Sequence, residues 1–413
     1  MMPRAGQITV KMMVAFMGCV LATASEPEVR RIRVEGGAKP VAQIPLLRDL
    51  PKSGPTLEPG PYRLVPDDGG AVLTASVQAD SDRRLLGFVL DALEPGQVRT
   101  FRLEPQLGVA GGAGFTISAQ ADGSQQIRSN GSPVTVLHQG ETKPYFWPVI
   151  GPTGAPFTRA YPMEEHDEED RDHPHQRSFW ITHGDVNGVD FWASDPLNPP
   201  SPRFGKIKQT RFNSSAGGDF VRLRTSNLWL SGDDKPVCDD ERVFTFWQLP
   251  GARMIDIEVV LRASWGPVVF GDTKEGTFGL RVPSSLDVKK GQGGRILNAE
   301  GLTDQAAWGK PSPWVDYSGP VAGKTIGIAI FDHPTSFRHP TTWHVRDYGL
   351  FAANPFGYHD FGVNKPGAYT LAPGETLRLR YRVLLHEGDA AQAQVAAAYQ
   401  GFAQPPTVTL LPD

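Results

Sequence analysis

The stretch that decides the fold is Ile255-Asp256-Ile257-Glu258-Val259-Val260-Leu261, in which apolar residues alternate with two acidic residues. Side chains on a β-strand point to opposite faces in turn, so the apolar residues at odd-numbered positions would share one face. The two acidic residues would then face solvent or a partner sheet. This segment therefore predicts a strand with one face on a core.

The same alternation recurs in Leu377–Val383, where three arginines separate apolar residues, and in the isoleucines of residues 326–330. The chain contains 45 glycines and 37 prolines, which interrupt it too often for long helices. We therefore expect an all-β fold: a small β-sandwich over residues 25–105, followed by a large antiparallel β-sandwich over residues 106–388. Residues 389–413 should form a short helix and a loose or edge-packed tail.

The predicted helix is Ala390–Gln400, because its alanine content favours a helix and Asp389 can cap it. Gly401 and Pro405 should end it. No other segment has a convincing helical pattern. The C-terminal helix is thus expected to be the one exception to an otherwise β-stranded chain.

Residues 1–24 have the pattern of a secretory leader. Arg4 and Lys11 precede the short apolar run Met12–Leu21, and Ala22-Thr23-Ala24 offers a cleavage site. We expect export to the periplasm or outside the cell; a lipid anchor on Cys19 is the alternative. Loss of the leader changes the net charge from −4 to −6, so nucleic acid and anionic membranes are not expected partners.

The first polar cluster is Asp172-His173-Pro174-His175-Gln176-Arg177-Ser178, followed by His183. If this segment is extended, His173, His175 and Arg177 point to one face. Burial without partners is costly for such groups, which favours a polar cleft. Two histidines so spaced also suit a divalent metal, with His183 or a distant residue as a further ligand. The alternative is that the histidines bond loop carbonyls at a sheet edge.

The second cluster spans Gly271–Val282. On a strand, Phe278, Leu280 and Val282 would form the buried face, and Glu275, Thr277, Gly279 and Arg281 would form the other face. Glu275 could serve as a general acid or base, and Gly279 leaves room for a ligand or another backbone. The alternative is a surface ion pair between Glu275 and Arg281, which would contribute under about 1 kcal/mol.

The third cluster lies in residues 331–349 and contains His333, Arg338, His344, Arg346 and Tyr348. The last three have the same parity and would share one face of a strand. A site assembled from segments distant in sequence would bring this cluster to the other two. The alternative is a hydrogen-bonded loop whose backbone is fixed by its prolines.

With these residues in view, the chain resembles the PmoA-like family of exported bacterial proteins. The resemblance covers roughly residues 106–388 and rests on the following motifs: Lys143-Pro144-Tyr145-Phe146, Gly151-Pro152, Asp172–Ser178, His183–Gly188, Lys274-Glu275-Gly276, Phe278-Gly279, Asp332-His333-Pro334 and Asn354-Pro355-Phe356-Gly357. It implies a sandwich similar to galactose mutarotase and an association with sugar processing. Gln176 stands where members often carry His, which weakens the case for a metal in this segment.

Together these features predict an exported carbohydrate-active enzyme of the epimerase, lyase or hydrolase type. Glu275 would be one acid or base, and His173, His175 or His344 the complementary group or a metal ligand. Substrate oxygens would contact the remaining candidates, which are Arg177, His183, Arg281, His333, Arg338, Arg346 and Tyr348. The runner-up is a non-catalytic glycan-binding protein with the same cleft, and a third reading is a structural protein whose histidines are all satisfied at sheet edges.

Overall fold

The computed structural model describes residues 30–50, 57–106 and 114–411. The predicted leader, residues 1–24, lies outside the described residues. In the described ranges, no helix has both the length and the apolar character that crossing a bilayer requires.

The N-terminal part is a curved sheet that encloses its own core. Its strands are β1 (Arg30–Glu35), β2 (Val41–Asp49), β3 (Gly60–Pro66), β4 (Leu73–Asp80), β5 (Arg83–Leu93) and β6 (Val98–Pro105). Each contributes buried apolar side chains, such as Ile32, Phe88 and Phe101, to one cluster. Because the alternating side chains of all six strands meet there, this part of the chain has a core of its own.

The remaining strands follow in chain order. They are β7 (Phe115–Ala119), β8 (Gln125–Ser129), β9 (Ser132–His138), β10 (Tyr145–Phe146), β11 (Phe179–His183), β12 (Lys206–Gly217), β13 (Phe220–Leu230), β14 (Pro236–Leu249), β15 (Ala252–Arg262), β16 (Val268–Phe270), β17 (Gly276–Arg281), β18 (Arg295–Asn298), β19 (Trp314–Val321), β20 (Lys324–Asp332), β21 (Thr342–Val345), β22 (Leu350–Asn354), β23 (Tyr369–Leu371) and β24 (Thr376–Glu387), then helix α1 (Val395–Ala403) and β25 (Thr407–Leu411). Three short 3-10 helices lie at Ser284–Leu286, Val288–Lys290 and Asp304–Ala307.

Two eight-stranded antiparallel sheets of the described chain form the predicted large sandwich. The front sheet has the order β21-β22-β17-β11-β10-β9-β8-β7, and the back sheet has the order β12-β13-β14-β15-β24-β20-β19-β18. Phe179 and Phe278 of the front sheet share one buried cluster with Ile257 and Leu379 of the back sheet. The all-β sandwich expected from the alternating segments is confirmed.

The other face of the back sheet is covered as well. Met254 and Leu384 pack there against Tyr399 and Phe402 of α1. The two acidic residues of Ile255–Leu261, Asp256 and Glu258, also point to this side. Asp256 forms an ion pair with Arg382 of β24. Successive side chains of a back-sheet strand therefore point in turn to the sandwich core and to the layer that contains α1.

Helix α1 begins later than the sequence predicts. The Asp389 carboxylate accepts bonds from the amides of Ala391 and Gln392, but this caps a turn. Gln394 then adopts φ 52°, and the helix runs from Val395 to Ala403 with Gly401 inside it. Burial of Gly401 against the N-terminal sheet accounts for the continuation, because packing outweighs the weak intrinsic preference of one glycine. After it, β25 pairs with β1, so the tail is a sheet edge.

Candidate functional site

The site is built on the outer face of the front sheet, the face turned away from the sandwich core. Trp180 of β11 pairs with Gly279 of β17, which pairs with Ala352 of β22, which pairs with His344 of β21. This row of residues crosses four strands. A Cβ on Gly279 would lie 2.6 Å from the Trp180 ring, so the space above this glycine holds the indole. We expected Gly279 to leave space for a ligand or another backbone, but the Trp180 ring fills that space.

The segment before β11 is a turn, which corrects the expectation of an extended His173–Arg177. His173 has φ 45°, and the Gln176 amide donates to the His173 carbonyl at 3.0 Å. Pro174 sits inside this turn, where its fixed φ is compatible with the bend. The turn still places the rings of His173 and His175 5.7 Å apart.

A second turn supplies Tyr348. Strand β21 ends at Val345, so Arg346 and Tyr348 lie in the hairpin turn before β22, and the prediction of one continuous strand is wrong. The turn closes through a bond from the Gly349 amide to the Arg346 carbonyl at 3.1 Å. Gly349 has φ 93°, a backbone region that favours glycine.

Tyr348 is the centre of the site. Its ring is parallel to the His173 imidazole at a centroid distance of 5.2 Å. The guanidinium carbons of Arg281 and Arg346 lie 5.0 and 5.2 Å from the ring centre, and the Lys289 ammonium lies at 5.7 Å. We call these five residues the Tyr348 cluster. Burial raises the pKa of the Tyr348 phenol against the positive charges of the two arginines, so the phenol keeps its proton at neutral pH.

Asp172 holds this cluster in place. Its Oδ1 accepts from Arg159 at 2.6 Å and from Arg281 at 2.8 Å, and its Oδ2 lies 2.8 Å from His173 Nδ1. Burial alone would raise the pKa of Asp172, but the bond with His173 and the charge of Arg281 hold it well below its usual range. An ionised carboxylate accepts from Nδ1–H, which leaves Nε2 of a neutral His173 as the acceptor. The His173 side chain is 42% exposed, so Nε2 can reach a ligand.

Glu275 lies beside the cluster at the start of β17. Burial raises the pKa of its carboxyl, while the charges of Lys274 and His173 oppose that rise. Its Oε1 is 3.6 Å from Lys274 Nζ, and the side chain is 36% exposed. The same carboxyl acts electrostatically on Tyr348. Glu275 and His173 therefore lie close enough to interact electrostatically.

His175 and Arg177 are tied to the loop of residues 192–198. The Asn198 amide donates to His175 Nδ1 at 3.1 Å, and burial together with the charge of Lys143 lowers the His175 pKa to about 2. His175 is therefore neutral at physiological pH. Arg177 makes two bonds to Asp195, at 2.5 and 2.9 Å, so a buried carboxylate already balances its charge.

His344 and His183 lie beneath this surface. His344 Nδ1 is 2.8 Å from the Lys274 carbonyl, and its ring lies 6.1 Å from Phe361. His183 Nε2 is 2.9 Å from the Gly271 carbonyl. Burial lowers the pKa of each to about 4. Each ring bonds a loop carbonyl through one nitrogen, and the carbonyl that His344 contacts belongs to Lys274, the residue before Glu275.

His333 and Arg338 lie elsewhere. His333 packs against Phe402 of α1 and bonds Thr335, on the side of the back sheet that faces the N-terminal sheet. Arg338 donates to the carbonyls of Pro355, Gly367 and Ala368 and so fixes the loop after β22. The structure therefore assembles the first two sequence clusters with part of the third.

Local patterns gave no signal for Trp308, which stands in the loop before β19 and is half-buried beside Arg346, 5.8 Å from the guanidinium carbon. The two residues line a pocket of about 430 Å³ with Gln305, Val345 and Asp347. Only the fold brings this loop to the hairpin turn.

Several buried polar atoms around the site have no hydrogen-bond partner among the described residues. They are the indole nitrogens of Trp180, Trp192 and Trp308, Nε2 of His344 and Nε of Arg281. Buried polar groups are usually paired, and concentrations of unpaired ones are typical of functional sites. The described residues contain no group of three His, Cys, Asp or Glu side chains arranged to hold a metal ion.

The solved structures similar to this chain include an alpha-mannosidase from Enterococcus faecalis V583, with 10% identity and a TM-score of 0.37, matching 94% of this chain and 46% of that one. Another is a glycosyl hydrolase family 38 protein from Enterococcus faecalis, with 9% identity and a TM-score of 0.36, matching 93% of this chain and 47% of that one. The chain thus spans under half the length of either.

A search of curated proteins finds no match. A family model, described as a family of unknown function (DUF6807), matches residues 124–400. That range holds the turn of His173, the start of β17, and the hairpin turn of Tyr348. The chain belongs to the DUF6807 family.

Proposed function

We propose that the surface beside Tyr348 binds a carbohydrate and that His173 and Glu275 carry out acid–base chemistry on it. The observation that carries the proposal is the pairing of Asp172 with an exposed His173. A carboxylate that fixes one ring nitrogen directs the other towards a ligand, which is the arrangement a general base needs.

The proposal gives the two groups complementary roles. His173 has a free Nε2 to accept a proton, whereas burial favours the protonated form of Glu275. Epimerisation, elimination and hydrolysis all require a proton to be taken at one atom and delivered at another. Arg281, bonded to Asp172 and close to Tyr348, adds fixed positive charge where negative charge would develop.

Turnover should be measured with a panel of glycosides and keto-glycosides. His173→Asn retains a donor for Asp172 but removes Nε2, and Glu275→Gln removes the titrating group; each should lower turnover about 100-fold or more. His166→Asn, on an exposed loop, is the control and should leave turnover unchanged. Full activity in both site variants, with folding intact, would refute the catalytic proposal.

The second candidate is a glycan-binding protein without turnover. It is favoured by the burial of His175, which lowers its pKa to about 2 and so removes one candidate from proton transfer. In that case Trp308→Ala would abolish retention on a glycan matrix, while the His173 and Glu275 variants would still bind.

The location is also a proposal. Residues 1–24 support export to the periplasm or the exterior, in keeping with the resemblance to the PmoA-like family. The intact mass of the exported protein tests this: a mature chain that starts at Ser25 supports cleavage, and a chain that retains residues 1–24 contradicts it.

A further inference from the structure

Arg346 differs from the other arginines of the site in its partners. Arg159 and Arg281 share Asp172, and Arg177 is paired with Asp195. In the described part of the chain, Arg346 has no carboxylate within ion-pair distance; its guanidinium instead lies beside the rings of Trp308 and Tyr348, at 5.8 and 5.2 Å.

Two aromatic neighbours orient the planar guanidinium of Arg346. Contacts with aromatic rings occupy the faces of the group and leave the donors at its edge available. Those donors match the two oxygens of a carboxylate, to which arginine commonly makes two parallel bonds. Arg346 is half-buried, so such bonds would be less screened than at an open surface.

The pocket beside Arg346 offers groups for the rest of a sugar. Its volume of about 430 Å³ falls in the range of ligand sites. Trp308 lines it, and the buried indole nitrogen of Trp308 has no partner among the described residues. Gln305 donates to Asp347 at 3.3 Å, and this pair provides a donor and acceptors for hydroxyl groups.

We propose that Arg346, between Trp308 and Tyr348, forms a subsite for the carboxylate of an acidic sugar, so that the protein acts on glycans that contain uronic acid. This rests on the proposed carbohydrate function of the same site. Lys289, 5.7 Å from the Tyr348 ring, is paired with Asp170 at 3.4 Å, so Arg346 is the cation on which the subsite depends. Asp347 lines the same pocket and would disfavour a second anionic group, which restricts the carboxylate to the position of Arg346.

Titration calorimetry on the full chain can test this subsite. The probes are glucuronic-acid-containing disaccharides, each with its carboxyl-reduced, uncharged counterpart and with the anionic 6-O-sulfate ester of that reduced counterpart. The acidic form should bind at least tenfold more tightly than the reduced form, about 1.4 kcal/mol. Arg346→Gln should remove this difference, and Arg346→Lys should restore only part of it because lysine cannot make the paired bonds. Arg378→Gln, whose arginine is exposed and paired with Glu258, is the control.

The outcomes separate this inference from the function on which it rests. Equal binding of acidic and reduced sugars overturns the carboxylate subsite and leaves carbohydrate binding standing. Binding of the sulfated analogue as tight as that of the acidic sugar overturns the assignment to a carboxylate. Absence of binding by every sugar overturns the proposed function itself. A thermal melt of each variant verifies folding, and the lysine variant keeps the test valid if the glutamine variant is unstable.

Discussion

At the scale of single residues, the environment of each histidine decides what it can do. The sequence identified His173, His175, His183 and His344 by type and spacing alone. The fold then gives His173 an ionised partner and an exposed side chain. His175 is half-buried and bonds the Asn198 amide, and His183 and His344 are buried and each bond a loop carbonyl. The sequence shows which residues are histidines, but it does not show how deeply each one is buried. The burial of a histidine depends on distant segments that pack on it, such as the loop that contains Phe361, and no local pattern predicts that packing.

Buried neutral histidines should make the protein sensitive to acid. His183 and His344 have pKa values lowered by burial to about 4, compared with about 6.5 in an unfolded chain. Between these values the unfolded chain binds more protons, so the free energy of unfolding falls as the pH drops from about 6.5 to 4. Each fully buried ring contributes up to about 3 kcal/mol to this loss.

Urea midpoints measured from pH 7 to pH 4 test this sensitivity. His344→Asn retains a donor for the Lys274 carbonyl but cannot titrate, so it should flatten the pH dependence by about one proton. His166→Asn should leave the slope unchanged, since His166 lies on an exposed loop. An unaltered slope in the His344 variant would show that His344 is not the group that takes up the proton.

At the scale of elements, strands were easier to predict than turns. The alternation in Ile255–Leu261 and at Phe278 and Leu280 specified which side chains enter the core, and the structure agrees. The segments that contain His173 and Arg346 also have polar residues at every second position, yet both segments are turns. Their conformations depend on residues such as His173 at φ 45° and Gly349 at φ 93°, which alternation cannot specify.

Gly279→Ala tests the floor of the site. The added methyl would lie 2.6 Å from the Trp180 ring, so the indole or β17 must move. We expect a loss of about 1–3 kcal/mol in stability, typical of overpacking, together with a change in tryptophan fluorescence. Gly37→Ala, where a Cβ meets no atom within 4 Å, is the matched control. A denaturation curve like that of the wild type would show that Trp180 does not occupy this space.

At the scale of the whole molecule, the sandwich brings three sequence-distant segments to one face. Residues 172–177 precede β11, residues 274–281 include β17, and residues 344–348 join β21 to β22. These strands are neighbours in the front sheet, which explains why three polar clusters converge. His333 stands on the opposite side of the sandwich because β20 belongs to the back sheet. The sequence did not show which strands belong to the front sheet and which to the back sheet.

Another cavity beside the back sheet is a competing location for a ligand. It has a volume of about 560 Å³, lies between the N-terminal sheet and the back sheet, and is lined by His333, Arg380, Arg382 and Trp247. Several of its charged groups pair with one another, as Arg382 does with Asp256 and Arg83 with Asp49. We therefore assign it to the contact between the two parts of the chain.

The crystal structure of the protein with a bound glucuronic-acid-containing disaccharide tests the central claim most directly. The account predicts sugar density against Tyr348 and Trp308, with the sugar carboxylate on Arg346 and a reacting atom within hydrogen-bond reach of His173 Nε2. Density in the cavity beside His333, with an empty surface at Tyr348, would contradict it.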